Sequence, residues 1–494
     1  MNDFKEKSIK QSRLRYPQSR EKKDDFLLKN QSNLSEVIEK IPQSFSSKVQ
    51  SSYANIDKIY SSDNRDLRQL TQEMTNLYLF AFDNFIDSDE NFKNYNIYKN
   101  IIGCLNGTMP IELRKATIAF LTNIFQYSHT RIMDYFISDY NIIEYIYNIY
   151  NEDIQALMIP LIQCATNIAS ESRSNRDKIL EKFDLNTISD LLNDYPTENT
   201  FIAASHLISS YCQYPLDEKY FSSILSLIYQ IIFKSLDHNW QCSEAMKAMI
   251  SYINTEERCK IFASLSNQPD NPDNIIFQSF ISLLKEENDE ITVLLLIFLN
   301  KLFEKIQNTL EIDFEYVLKL FDSTNEIVAW HAIRLFSNSI VLNPLVCESF
   351  NPKEPDQKES NLQKLLDCCK EGSGKKRIES LFLLTNLIRK SPVSSTIFTT
   401  LCTEEKIVPL FVDSLNLEDP ELVDAIICSF ARILQSEIPD TDRKKVLDKF
   451  QESGGDEVIE MLIQNEDENI SMQALAFKNI ILEKPTPFNF ESFL

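Results

Sequence analysis

Glycine is nearly missing from this chain: 6 residues in 494. Folds that cradle nucleotide phosphates need glycine at tight turns and wherever backbone approaches a phosphate. Kinase, P-loop and dehydrogenase readings are therefore disfavoured. Histidine is also rare, at 4 residues, and the 10 cysteines contain no Cys-x-x-Cys pair. The adjacent Cys368 and Cys369 have no histidine near them to complete a zinc site. Scattered cysteines of this kind point to reduced thiols and to the cytoplasm and nucleus. No Ser/His/Asp set, metal spacing or phosphate loop offers chemistry, so the expectation is a non-enzyme without metal or cofactor. The longest apolar run, Val293–Leu299, is much too short to span a bilayer. The polar N-terminus has no apolar signal-peptide core.

What remains is a long, acidic, core-forming chain. Hydrophobic residues make up 43%, enough to bury a core, but 494 residues exceed what one compact core holds. Several domains or an extended repeat array are the alternatives. The net charge is −23. Such a surface repels nucleic acid and anionic membranes and favours basic partners, although acidity alone also serves solubility. Residues 1–30 run against this balance, with nine Lys/Arg and five Asp/Glu. A basic arm on an acidic body reads as a solubilising tail or as a helix that docks on an acidic partner. A Ser- and Gln-rich stretch follows, and residues 36–54 read as a flexible linker.

From residue 55 to 483 the apolar spacing is helical, as in Ala116–Ile124 and Leu381–Ile388. One phrase recurs: an apolar run, a small polar residue or Asn, then more apolar residues. Its equivalent positions are Asn123, Asn167, Ser210, Tyr252, Asn300, Arg334, Asn386 and Arg432, separated by 44, 43, 42, 48, 34, 52 and 46 residues. The adjacent 34 and 52 make Arg334 the least secure register. A period in the low forties is that of armadillo and HEAT repeats. The expected fold is all-α, an armadillo-repeat right-handed superhelical solenoid of about ten repeats. A hairpin of this length buries its apolar face only by stacking on neighbours. A ladder of asparagines at matched positions can hydrogen-bond the backbone of an extended peptide at a regular interval.

The order of these phrases resembles the importin alpha family. The C-terminal run Glu452-Ser-Gly-Gly-Asp-Glu-Val-Ile-Glu460, then Asn465-Glu-Asp-Glu-Asn-Ile470 and Ala474–Glu483, resembles that family's last repeat. The tail, residues 484–494, is similar in its Phe488-Asn-Phe490. Residues 59–72 resemble the first repeat, and Thr166–Ser172 with Arg176–Leu180 the third. Residues 1–35 resemble part of an importin-beta-binding arm, with Arg13, Arg15, Arg20, Lys22, Lys23 and Lys29 as its cations. Asn30-Gln31-Ser32 departs from the basic cluster expected after Lys29.

The resemblance implies a nuclear import adaptor that holds basic nuclear localisation signals of cargo in a concave groove. It also implies importin beta as a partner through the arm, and a nuclear export receptor for recycling. A major cargo site would use Asn123, Asn167, Glu171, Gln163 and Ser210. A minor site would use Trp330, Arg334, Phe382 and Asn386. The tryptophans that wall such a groove are replaced by Ala119, Gln163, His206 and Ala248, each lost wall removing about 0.5–2 kcal/mol of contact with a lysine. This erosion favours the alternative: an armadillo-repeat interaction scaffold that does not act on such signals. Membrane and direct nucleic-acid contacts are not expected.

Overall fold

The computed structural model describes residues 43–83, 96–127, 130–266, 272–286, 288–306, 310, 312–351, 360–417 and 419–483. The basic arm with Arg13, Arg15, Arg20, Lys22, Lys23 and Lys29, and the tail 484–494, lie outside these residues. Among the described residues there are helices and no strands. The chain divides into two compact units at Arg258/Cys259, where a single domain over 55–483 was expected.

Ten helices that pack in series within the two units, called the long helices although Ser243–Tyr252 has only 10 residues, carry the architecture. The first unit has α1 (Leu67–Asp83), α2 (Ile111–Tyr127), α3 (Gln155–Glu171), α4 (Glu198–Cys212) and α5 (Ser243–Tyr252). The second has α6 (Asp289–Lys305), α7 (Glu326–Leu342), α8 (Gly374–Lys390), α9 (Pro420–Gln435) and α10 (Glu468–Ile481). Within each unit these helices pack on one another in chain order, and the remaining helices, among them Gln43–Tyr60 and Phe221–Asp237, pack against them. Phe336 of α7 meets Phe314, Phe321 and Phe350 edge-on at ring-centroid distances of 5.1, 5.7 and 5.3 Å. Phe430, at the same level of α9, meets Phe411 and Phe450 edge-on and stacks on Phe477. Such rings bring large buried area and a preferred geometry to each layer.

The starts of the long helices are written in the sequence. Thr197, Asn288, Asn325, Asp419 and Asp467 each accept a backbone N–H of the first turn of α4, α6, α7, α9 and α10. With so little glycine, the left-handed turn positions fall to other residues: Asn96, Asn141, Asp153, Asn239 and Glu483 all have φ between 48° and 57°. Asparagine and aspartate tolerate this region better than other side chains. Gly454, at φ 79°, and Gly455 make the turn into the last pair of helices. A Cβ on Gly455 would fall 2.5 Å from the Phe450 ring.

The linker expected over 36–54 is corrected from residue 43 onward: Gln43–Tyr60 is a helix. Val49, Tyr53 and Ile56 are buried, while Ser52 Oγ and Asn55 Nδ2 both bond Glu73 of α1, at 2.8 and 2.9 Å. The serines between the apolar positions hid a stripe whose spacing is helical. Pro160 lies inside α3, and the helix continues through it although that residue has no N–H to give to the carbonyl four back.

Candidate functional site: the open face of the long helices

Several of these helices leave a partly exposed stripe, whereas residues 425–431 of α9 are buried throughout. Counting from the first residue of each helix, Asn123, Asn167, Ser210, Asn338, Asn386 and Arg432 all occupy the thirteenth place. This corrects the register in α7: the residue equivalent to the asparagines is Asn338, not Arg334. Asn338 Nδ2 bonds Asn300 Oδ1 at 3.1 Å, and Asn386 Nδ2 bonds Ser337 Oγ at 2.8 Å, so these residues sit at one level. Arg334 belongs one turn earlier, and Trp330 a turn before that.

The asparagines bind the stack to itself. Asn123 Nδ2 donates to Tyr78 O of α1 at 3.3 Å, and Asn167 Nδ2 to Thr122 O of α2 at 2.8 Å. Asn300 Nδ2 donates to His331 O at 2.9 Å. Asn123 is 7% exposed, so its amide is turned into the packing rather than out to a ligand. Ser210 is likewise buried, its Oγ donating to Leu207 O, and Ser209 takes the open place beside Ser251 at 2.9 Å. Of the expected major-site residues, Gln163 and Glu171 are exposed and Asn167 half-buried. They lie four residues apart along one face of α3, which brings them together.

The open face of the first unit is polar, small and mixed in charge. It includes Lys115, Ala119, Gln126, Gln163, His206, Ser209, Gln213, Lys247 and Ser251. Ala248, expected on the face, is buried, and Lys247 is there instead. Glu244 is already engaged by this chain's own side chains: His206 Nε2 lies at 2.8 Å and Lys247 Nζ at 2.5 Å. The hydrogen bond from His206, helped by Lys247, lowers the Glu244 carboxyl to about 2.

The second unit presents a different surface. Trp330 is 8% exposed and stacks on His331 at 3.5 Å between ring centroids. Lys375 Nζ stands 5.0 Å from the indole centroid, so a cation of the chain occupies that wall. Burial, with Arg334 nearby, holds the His331 imidazole well below the ordinary histidine range, and the ring is neutral. Arg334 pairs with Glu304 at 2.7 Å, both side chains mostly buried. Phe382, expected as an aromatic wall, is buried at 3% exposure and has no face to offer. Asn386 is half-buried at the bond to Ser337 described above.

A feature that sequence reasoning missed lies at the end of α4. Arg176 and Arg258, each 1% exposed, converge on its last carbonyls. Arg176 bonds Tyr211 O and Pro215 O at 2.7 Å and Tyr214 O at 3.4 Å. Arg258 bonds Cys212 O at 3.0 Å, Tyr252 O at 3.3 Å and Tyr214 O at 2.9 Å. Two cations thereby satisfy carbonyls that have no partner within the helix and oppose the negative end of its dipole. Arg176 was visible only as part of a family phrase, and nothing in the sequence pairs it with Arg258.

No protein-family model and no curated protein matches the chain. Among solved structures, an engineered protein from the Northeast Structural Genomics Consortium is similar over 88% of this chain and 100% of its own, with a TM-score of 0.63 and 15% identity. A chain from a study of the phosphorylation switch controlling the interaction between cadherin and beta-catenin covers 90% of this chain and 99% of its own, with a TM-score of 0.43 and 10% identity. The first likeness establishes a shared all-helical fold.

Proposed function

We propose that the chain is a non-catalytic interaction scaffold, an armadillo-repeat solenoid of about ten units that holds an extended segment of another protein along the open face of its long helices. The observation that carries this reading is the stripe left uncovered on successive long helices. It presents side-chain donors and acceptors on successive helices of the first unit, with Gln163, His206 and Ser209 exposed or half-exposed and helical packing behind them. A peptide backbone needs such a spaced set of polar partners when it forms no strand with its receptor. The cytoplasm and nucleus remain the expected compartments.

Nuclear import adaptation is the narrower function that the resemblance implies, with basic cargo segments, importin beta and an export receptor as partners. The geometry lends it less support than the scaffold reading. A lysine-binding groove needs free aromatic walls and unengaged carboxylates. Here Phe382 is buried, Trp330 faces Lys375, and Glu244 is bonded to His206 and Lys247.

Peptides selected from a random display library against the full chain test the scaffold reading. The expectation is micromolar binders whose affinity falls at least tenfold on Gln163→Arg and His206→Asp, with a lysine-rich nuclear localisation peptide binding no better than a scrambled control. Failure to select any binder, or binders indifferent to both substitutions, refutes the scaffold reading. Submicromolar binding of the lysine-rich peptide restores the import reading.

A further inference from the structure

In the second unit the first turns of α9 and α10 border a groove. α10 packs on α9 and on the helix Gly455–Ile463, and a space of about 430 Å³ stays open among the three. Ligand pockets have volumes of about 300–1,000 Å³. The floor is apolar and buried: Leu415 and Val423 on one wall, Val458, Leu462 and Ile470 on the other. Met461 stands on the lip and is 59% exposed. Its unbranched thioether side chain adapts to the shape of whatever enters.

The two segments that build the groove carry charge of one sign. Residues 407–431 contain five Asp/Glu and residues 450–477 contain seven, and neither contains Lys, Arg or His. Asp419 and Asp467 line the groove itself, and the exposed Glu466 and Glu468 flank Asp467. Arg377 reaches Asp413 at 2.9 Å and Lys478 reaches Glu460, but neither of those carboxylates lines the groove. Asp467 accepts the Asn469 and Ile470 amides through Oδ1, so its Oδ2 can take a cation without uncapping α10. An apolar floor edged by carboxylates repels phosphates and acidic segments. It fits an apolar side chain carried between cations.

We infer that this groove docks a short basic segment of a partner protein. The segment seats one large aliphatic or aromatic side chain against Val423, Leu462 and Met461, and sets a flanking lysine or arginine on Asp467. The site is separate from the open face of the first unit, and its occupation does not depend on what that face holds.

Fluorescence polarisation of labelled short peptides against the full chain tests this. Each peptide carries Leu, Met, Phe or Trp at its centre and lysines on both sides; controls carry Ser at the centre or Glu at the sides. At least one lysine-flanked peptide should bind with a Kd below about 100 µM, and its Ser-centred and Glu-flanked controls at least tenfold more weakly. Met461→Lys, at an exposed position, should weaken binding at least tenfold without lowering Tm, and Glu466→Gln/Glu468→Gln at least threefold. Gln163→Arg should leave it unchanged, which distinguishes this groove from the open-face site. Four results overturn the proposal: no peptide binding in that range, equal binding with Ser at the centre, indifference to Met461→Lys, or loss of binding on Gln163→Arg.

Discussion

Replacing Arg258 with Met tests whether two arginines hold the end of α4. The substitution keeps an unbranched apolar stem beside Phe221 and removes the three hydrogen bonds to Cys212, Tyr214 and Tyr252 carbonyls. Hydrogen bonds from a charged donor contribute about 1.5–3 kcal/mol each. Against that loss, the variant no longer keeps a guanidinium out of water, which costs several kcal/mol. The expected net destabilisation is about 3 kcal/mol, and Arg176→Met should lose a similar amount. The two side chains share one acceptor, Tyr214 O, at 2.9 Å from Arg258 and 3.4 Å from Arg176. Either arginine alone keeps that oxygen paired, so only the double variant strands it. The double loss should exceed the sum of the single losses by about 1 kcal/mol, the cost of one unpaired carbonyl. Urea unfolding followed by circular dichroism measures the totals. Hydrogen exchange over residues 207–216 reads the local opening, because helical arrays open in parts. A loss below about 1 kcal/mol for Arg258→Met, or additivity within about 0.3 kcal/mol, refutes the shared-clamp account.

Glu304→Gln leaves Arg334 facing a neutral partner in a mostly buried place. It should cost about 2 kcal/mol in denaturant unfolding, and the Glu304→Leu/Arg334→Met pair should recover most of it. Glu244 contributes stability through a folded carboxyl near 2, below its unfolded value of about 4.3. That contribution is full above about pH 5 and is lost as pH falls through about 2. Thermal melts of Glu244→Gln against the parent should differ by about 1 kcal/mol at pH 7, a value discounted for partial exposure, and converge near pH 2. Gly455→Ala drives a Cβ into the Phe450 ring and should cost about 1–3 kcal/mol, measured as a lower Tm. Asn167→Ala removes the bond to Thr122 O and should cost about 1 kcal/mol in the same assay.

Helix content was legible because apolar residues recur at three and four, whereas the caps Thr197, Asn288, Asn325, Asp419 and Asp467 were signals in the sequence that the reading of it did not use. The asparagine register was legible for α2, α3 and α8. In α7 it slipped by one turn because Arg334 and Asn338 lie on the same stripe, and periodicity cannot separate residues four apart. Choosing Asn338 turns the uneven spacings on either side into 38 and 48. The direction of Asn123 and Ser210 was not legible. Spacing gives the level of a side chain along the helix, whereas a neighbouring backbone carbonyl within reach decides whether its amide points inward. Phe382 and Ala248 went the same way, since the boundary between covered and open depends on the rotation of the next helix. The helix over Gln43–Tyr60 was lost among serines, which mask an apolar stripe without breaking it.

From α1 to α3 the amide ladder has a direction, and that direction bears on how this stretch can change size. Asn167 gives its hydrogen to α2, and α2 in turn sends Asn123 back to α1. Of these three helices α2 carries both parts, the plug Asn123 for α1 and the socket Thr122 O for α3. Deleting or copying the 44 residues from one asparagine to the next leaves every such pair made. An insertion that breaks the register inside a helix orphans a donor and an acceptor at once. Between α2 and α3 a whole repeat is therefore an interchangeable part, and a fraction of one is not.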